Sequence, residues 1–92
     1  MVLDDTGPEL QYWLRVWAAR GLLWAWSDEA LPAIVEALAD EHWRVREMAA
    51  KVVARHRLGD AFDDVASLAE DPVPRVASAA ARAVRNLVTS EA

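Results

Sequence analysis

A chain of 92 residues without cysteine makes no disulfides, no thiolate metal sites and no cysteine nucleophiles. At 54% hydrophobic and 27% charged it has the make-up of one small folded domain, not of a disordered segment. The formal net charge of −5 weighs against generic nucleic-acid binding, but residues 27–40 hold four acids and no base while 41–58 hold five bases and two acids.

Met1–Gly7 is an acidic lead-in with few apolar residues and does not read as a secretory signal. Thr6 and Glu9 have capping-box spacing, and Pro8 suits a first helical turn. A first helix is predicted over 8–26. Gly21 inside it costs about 1 kcal/mol relative to Ala, which predicts close packing by a neighbouring helix there. The apolar run Leu10–Trp26 carries Arg15 and Arg20 and is too short to span a bilayer comfortably, so a soluble, cytoplasmic protein with no membrane contact is expected.

Ser27 or Asp28 caps a second helix reaching Ala39, with Pro32 in its first turn and Leu31, Ile34, Val35 and Leu38 at helical spacing. Asp40 is placed to cap a third helix, Glu41 to about Leu58, with Gly59 stopping it. Asp60 opens a fourth helix to Glu70. Asp71 and Pro72 then start a fifth as N-cap and first-turn proline, fading after Val88 into a polar tail, 89–92. No stretch alternates like a strand, and links of two or three residues make successive helices antiparallel neighbours.

These helices repeat. Asp40–Ala54, DEHWRVREMAAKVVA, returns 31 residues later as DPVPRVASAAARAVR and 31 residues earlier as ELQYWLRVWAARGLL. Fixed periods of this size signal stacked repeats in which no single unit buries its own apolar face. The core D-x-x-x-x-V-R-x-x-A-A, met by Asp40, Val45, Arg46, Ala49, Ala50 and Val53, resembles HEAT-like repeats in the short form also seen in phycobilin lyases. Asp71, Val76, Ala80, Ala81 and Val84 follow the same pattern with Ala77 in place of Arg. Leu14, Arg15, Ala18, Ala19 and Leu22 match an inner helix without its outer partner. The resemblance covers 9–88 and implies an all-α fold, a short α-solenoid of five antiparallel helices in one domain, 1–92: lead-in 1–7, orphan inner helix 8–26, repeats 27–58 and 59–88, tail 89–92. It also implies a protein-binding scaffold, no assignable catalytic residue, and a pairing of Asp40 with Arg46 across helix ends.

Projected on a helical wheel, the three inner helices share an outward stripe. It holds Trp13, Trp17, Arg20 and Trp24 on the first, Arg44, Met48, Lys51 and Arg55 on the third, and Arg75, Ala79, Arg82 and Asn86 on the fifth. Arginine forks bind carboxylates bidentately, and Trp with Arg is the usual make-up of interface hot spots. The partner expected of this stripe is an unidentified protein presenting an acidic, partly apolar segment. The bland reading is a solvated charged face, with the Trp residues as end-capping core or a self-association patch; Trp26 and Trp43 lie off the stripe and read as packing residues.

Two alternatives stand beside the scaffold. One is a homodimer or other homo-oligomer through the Trp-rich first helix. The other follows from a likeness to DNA glycosylases built of HEAT-like repeats with a basic, Trp-containing groove; net charge, repeat number and the lack of a catalytic carboxylate disfavour nucleic acid. His42 and His56 are fourteen residues apart with no third ligand, so no metal is expected, and no phosphate loop or catalytic set suggests an enzyme or a cofactor.

Overall fold

A computed structural model of the chain describes residues 8–89, with side chains from Tyr12 onward. Five helices run α1 (Pro8–Gly21), α2 (Leu31–Leu38), α3 (Trp43–His56), α4 (Phe62–Ser67) and α5 (Pro74–Thr89), and there is no strand among the described residues. Single 3₁₀ turns precede α2 and flank α4. α1, α3 and α5 lie side by side as an inner layer, and α2 and α4 cover it from outside. The expected capping box of Thr6 and Glu9, the lead-in and the end of the tail lie outside the described residues.

The layers hold because small and branched residues alternate at the shared faces. Ala49, Ala50, Val52 and Val53 of α3 are wholly buried, and so are Ala80 and Ala83 of α5. Pairs of alanines let the inner helices approach closely. Ile34, Leu38 and Val65 of the outer helices fill the remaining space. Comparison at the repeat spacing shows that burial differs between the inner helices. Val45, Ala49 and Val52 are at most 1% exposed and so are Val76, Ala80 and Ala83, whereas their counterparts Leu14, Ala18 and Gly21 are exposed, Leu14 at 52%.

Neighbouring repeats are tied by a ladder of ion pairs. Arg15 Nε donates to Asp40 Oδ2 at 2.7 Å, and Arg46 Nε to Asp71 Oδ2 at 2.9 Å. Both pairs span 25 residues, from an inner helix to the loop before the next one. The expected Asp40–Arg46 side-chain pair is therefore corrected. Arg46 reaches Asp40 only at its main-chain carbonyl, at 2.8 Å, because the Asp40 carboxylate is held by Arg15 and by the His42 amide.

Local boundaries differ from expectation at every helix: α2 and α4 are cut to Leu31–Leu38 and Phe62–Ser67, with 3₁₀ turns before α2 and on both sides of α4. α1 ends at Gly21, not at Trp26, and residues 22–24 form turns bonded back to Ala19, Arg20 and Gly21. A side chain at Gly21 would meet nothing within 4 Å, so no close approach explains this glycine. α3 ends at His56, and the left-handed residue after it is Arg57, φ 51°; Gly59 opens the following 3₁₀ turn instead. Asp40 and Asp71 each accept from the amide two residues on, so α3 and α5 begin later than expected, at Trp43 and Pro74. The cap of α3 is His42, whose Nδ1 accepts from the Arg44 amide at 3.2 Å. Ser27 caps the turn into α2.

Candidate functional site

The stripe residues fall into four rows crossing the inner layer, each generated by the 31-residue period. Trp13, Arg44 and Arg75 form the first. The Arg44 guanidinium carbon stands 5.5 Å from the Trp13 ring centre and 4.6 Å from that of Trp43, and the Arg75 carbon stands 5.6 Å from Trp43. Trp13 and Trp17 are 6.1 Å apart, centre to centre. The outcome is a continuous run, Trp17–Trp13–Arg44–Trp43–Arg75, in which from Trp13 onward indoles alternate with cations that their electron-rich faces attract. Beneath it Tyr12 stacks on His42 at 3.5 Å, joining α1 to the cap of α3.

Trp17, Met48 and Ala79 make the second row, grading from 55% exposed at Trp17 to buried at Ala79. The third row, Arg20, Lys51 and Arg82, is basic on all three helices. Neither the Arg20 nor the Arg82 side chain makes an ion pair or hydrogen bond among the described residues. Trp24, Arg55 and Asn86 make the fourth, which is structural in part. Arg55 Nε donates to the Leu23 carbonyl at 2.7 Å and its guanidinium covers Trp24 at 5.0 Å, while Asn86 donates to the Ala54 carbonyl. With α1 ending at Gly21, Trp24 lies in the turn beyond the helix, yet it remains 74% exposed.

Two residues change the electrostatic reading. Glu47, buried except for 8% of its surface, accepts from Arg75 at 3.2 Å and lies 3.6 Å from Lys51, so an acid sits inside the basic stripe. Trp43, expected only to pack, joins two stripe arginines. Its adjacency to Arg44 is the signal in the sequence, as is the i, i+4 spacing of Glu47 and Lys51. Arg44 is left with its faces stacked and its guanidinium donating no hydrogen bond among the described residues. That arrangement orders the fork while leaving its N–H edge for a ligand. Trp26 does pack: it stacks on His56 at 5.4 Å, and His56 Nε2 donates to the Leu22 carbonyl at 2.6 Å. No group of three metal-ligating side chains is present among the described residues.

Stacked antiparallel helix pairs tied by a repeating Arg–Asp ladder define an α-solenoid. The family model for HEAT repeats matches residues 9–90, and the chain belongs to that family. No curated protein and no solved structure gives a match. HEAT repeats generally serve as protein-interaction scaffolds and are typically non-enzymatic. No helix among the described residues is long and apolar enough to cross a membrane.

Proposed function

We propose that the inner-helix face binds an acidic segment of another protein, laid across the three helices from Trp17 toward Arg82. The observation that carries this is the basic row Arg20, Lys51 and Arg82, flanked by the exposed Trp17 and by the stacked Arg44, whose N–H donors bond nothing among the described residues. Neighbouring helix axes lie roughly 8–10 Å apart. A polyproline II segment has about three residues per turn and advances about 3.1 Å per residue, so an acid at every third position falls on one face at a spacing of about 9 Å and matches the row. Exposed ion pairs contribute at most about 1 kcal/mol each, which with Trp17 adding an apolar anchor suits a weak affinity on the order of 0.1–1 mM. Glu47 within the face, together with the net charge of −5, disfavours duplex DNA as the ligand.

The test is titration with a labelled peptide of the form Glu-x-x-Glu-x-x-Glu carrying one Leu or Phe. Arg44→Glu with Arg82→Glu should weaken binding at least roughly tenfold with helicity unchanged. Arg55 is left intact because its bond to Leu23 makes it a folding residue. Equal affinity of the double variant and the parent removes the reading.

A second reading, pairing of two chains through α1, is favoured by the exposed Leu14 and Trp17. A monomeric mass by light scattering at high concentration removes it.

A further inference from the structure

On the side of α1 away from the stripe, α1 and α2 enclose an open groove of about 630 Å³. Its floor is apolar and buried, formed by Ala19, Ile34 and Val45. Ala18 and Leu22 form one wall, Ala33 and Ala37 the other. Moved by one repeat, Ala18, Ala19 and Leu22 become Ala49, Ala50 and Val53, and Ile34 becomes Val65. In that next repeat the corresponding space is filled, because α2 inserts Ile34 and Leu38 into the same cluster as those residues. The groove therefore has the form of a seat for a two-turn helix carrying an apolar i, i+4 pair.

Charge at the edge distinguishes between occupants. Glu36 and Glu41 stand at the groove's edge, and neither makes an ion pair among the described residues. Asp40 also borders it but is held by Arg15. Segment 27–40, which supplies one wall, has four acids and no base. Such an edge attracts lysine or arginine and repels an acidic helix. By sequence, this chain's own leading residues are a poor match: the 31-residue spacing aligns Leu3 with Ile34 but Gly7 with Leu38, and the segment carries Asp4 and Asp5 and no base. A two-fold pairing through the groove would set Glu36 and Glu41 against their own copies.

We propose that the groove between α1 and α2 receives an amphipathic helix of another protein, apolar on one face and basic on its flanks. This contact is separate from the acidic-segment face and survives if that face proves inert.

The probe is a synthetic peptide with the sequence of residues 27–40 carrying Glu29→Lys and Glu36→Lys, which keeps the Ile34 and Leu38 anchors. Backbone NMR of the labelled protein should show saturable shifts at Ala18, Leu22, Ala33 and Ala37. The unmodified acidic peptide should bind roughly three- to tenfold more weakly at low salt. Ala18 is exposed, so Ala18→Arg should fold as the parent does and abolish the shifts. Glu36→Lys in the protein should reverse the preference toward the acidic peptide. Absence of saturable shifts at millimolar peptide, equal response to both peptides, or a growth of the protein's own mass with concentration that Ala18→Arg abolishes overturns the proposal.

Discussion

Arg46 and Asp71 are joined by two side-chain hydrogen bonds, Nε to Oδ2 at 2.9 Å and Nη2 to Oδ1 at 3.3 Å, and this pair is the main rung between the second and third inner helices. Its side chains are 16% and 6% exposed, against 39% and 13% for Arg15 and Asp40. Screening by water is weaker at the Arg46–Asp71 rung, and Arg46 also donates to the carbonyls of Asp40 and Glu41. Arg46→Ala should cost about 2–3 kcal/mol. Arg15→Ala should cost less than about 1 kcal/mol. Paired urea melts check the order, and equal losses would show that burial does not set the worth of a rung.

The same pair predicts an acid-dependent loss. Burial alone would raise the Asp71 carboxyl, but the Arg46 hydrogen bond, the Val73 amide and the Arg46 charge together hold it below the ordinary 3.8. A carboxyl depressed in the folded state stabilises the fold above its unfolded value and loses that contribution as pH falls through the lower folded value. The stability difference between parent and Arg46→Ala should therefore be complete near pH 6 and shrink below about pH 4. Melting curves across that range measure it; a difference that stays constant to pH 2 would contradict the assignment.

Glu47 sets how basic the inner face is. Its carboxylate occupies Arg75 and lies near Lys51, so two cations counted in the stripe are partly neutralised. Glu47→Gln retains an acceptor for Arg75 and removes the charge. Affinity for an acidic peptide should rise roughly three- to tenfold at low ionic strength and return toward the parent value in high salt. Unchanged affinity in both conditions would place the binding surface elsewhere.

Much of this architecture is legible at the 31-residue spacing. The period alone locates the inner helices, the rows of the stripe and the buried positions Val45, Ala49 and Val52 with their counterparts. It fails where the determining partner lies outside one helix. Arg75 reaches Glu47 across 28 residues, and a helical wheel of α3 treats Glu47 as one more acid. Trp43 sits at the first turn of α3, where a side chain leans out past the helix end, so the wheel assigned it to packing. The Arg–Asp ladder has the same cause. Arg46 and Asp40 are near in sequence, but the inner-to-inner geometry brings Asp71 to Arg46 and Asp40 to Arg15.

Glycine was the least informative signal, and the backbone explains why. Gly21 has no positive φ and open space where a side chain would be, so Gly21→Ala should stabilise by up to about 1 kcal/mol. Arg57 is the residue that takes the left-handed conformation after α3. There an L side chain is strained, and Arg57→Gly should stabilise by about 1 kcal/mol. Thermal melts of the two variants check both, and destabilisation of either would show a contact that the backbone argument omits.

Trp17 separates folding from binding at the inner face. It is 55% exposed, touching Trp13 at one edge of the cation–indole run, whereas Trp13 is half-buried between Tyr12 and Arg44. Removing an exposed side chain changes stability little, so Trp17→Ala should shift the unfolding free energy by less than about 0.5 kcal/mol. Trp13→Ala removes the ring that orders Arg44 and should cost about 2–3 kcal/mol. If Trp17 anchors the acidic segment, its loss should weaken peptide binding roughly tenfold despite an intact fold, since exposed aromatic anchors commonly contribute more than 1 kcal/mol at interfaces. Urea titration and peptide anisotropy on the same samples give both readings. Parent-like affinity in a folded Trp17→Ala protein would leave recognition of the segment to the basic row and Arg44, without the Trp17 indole.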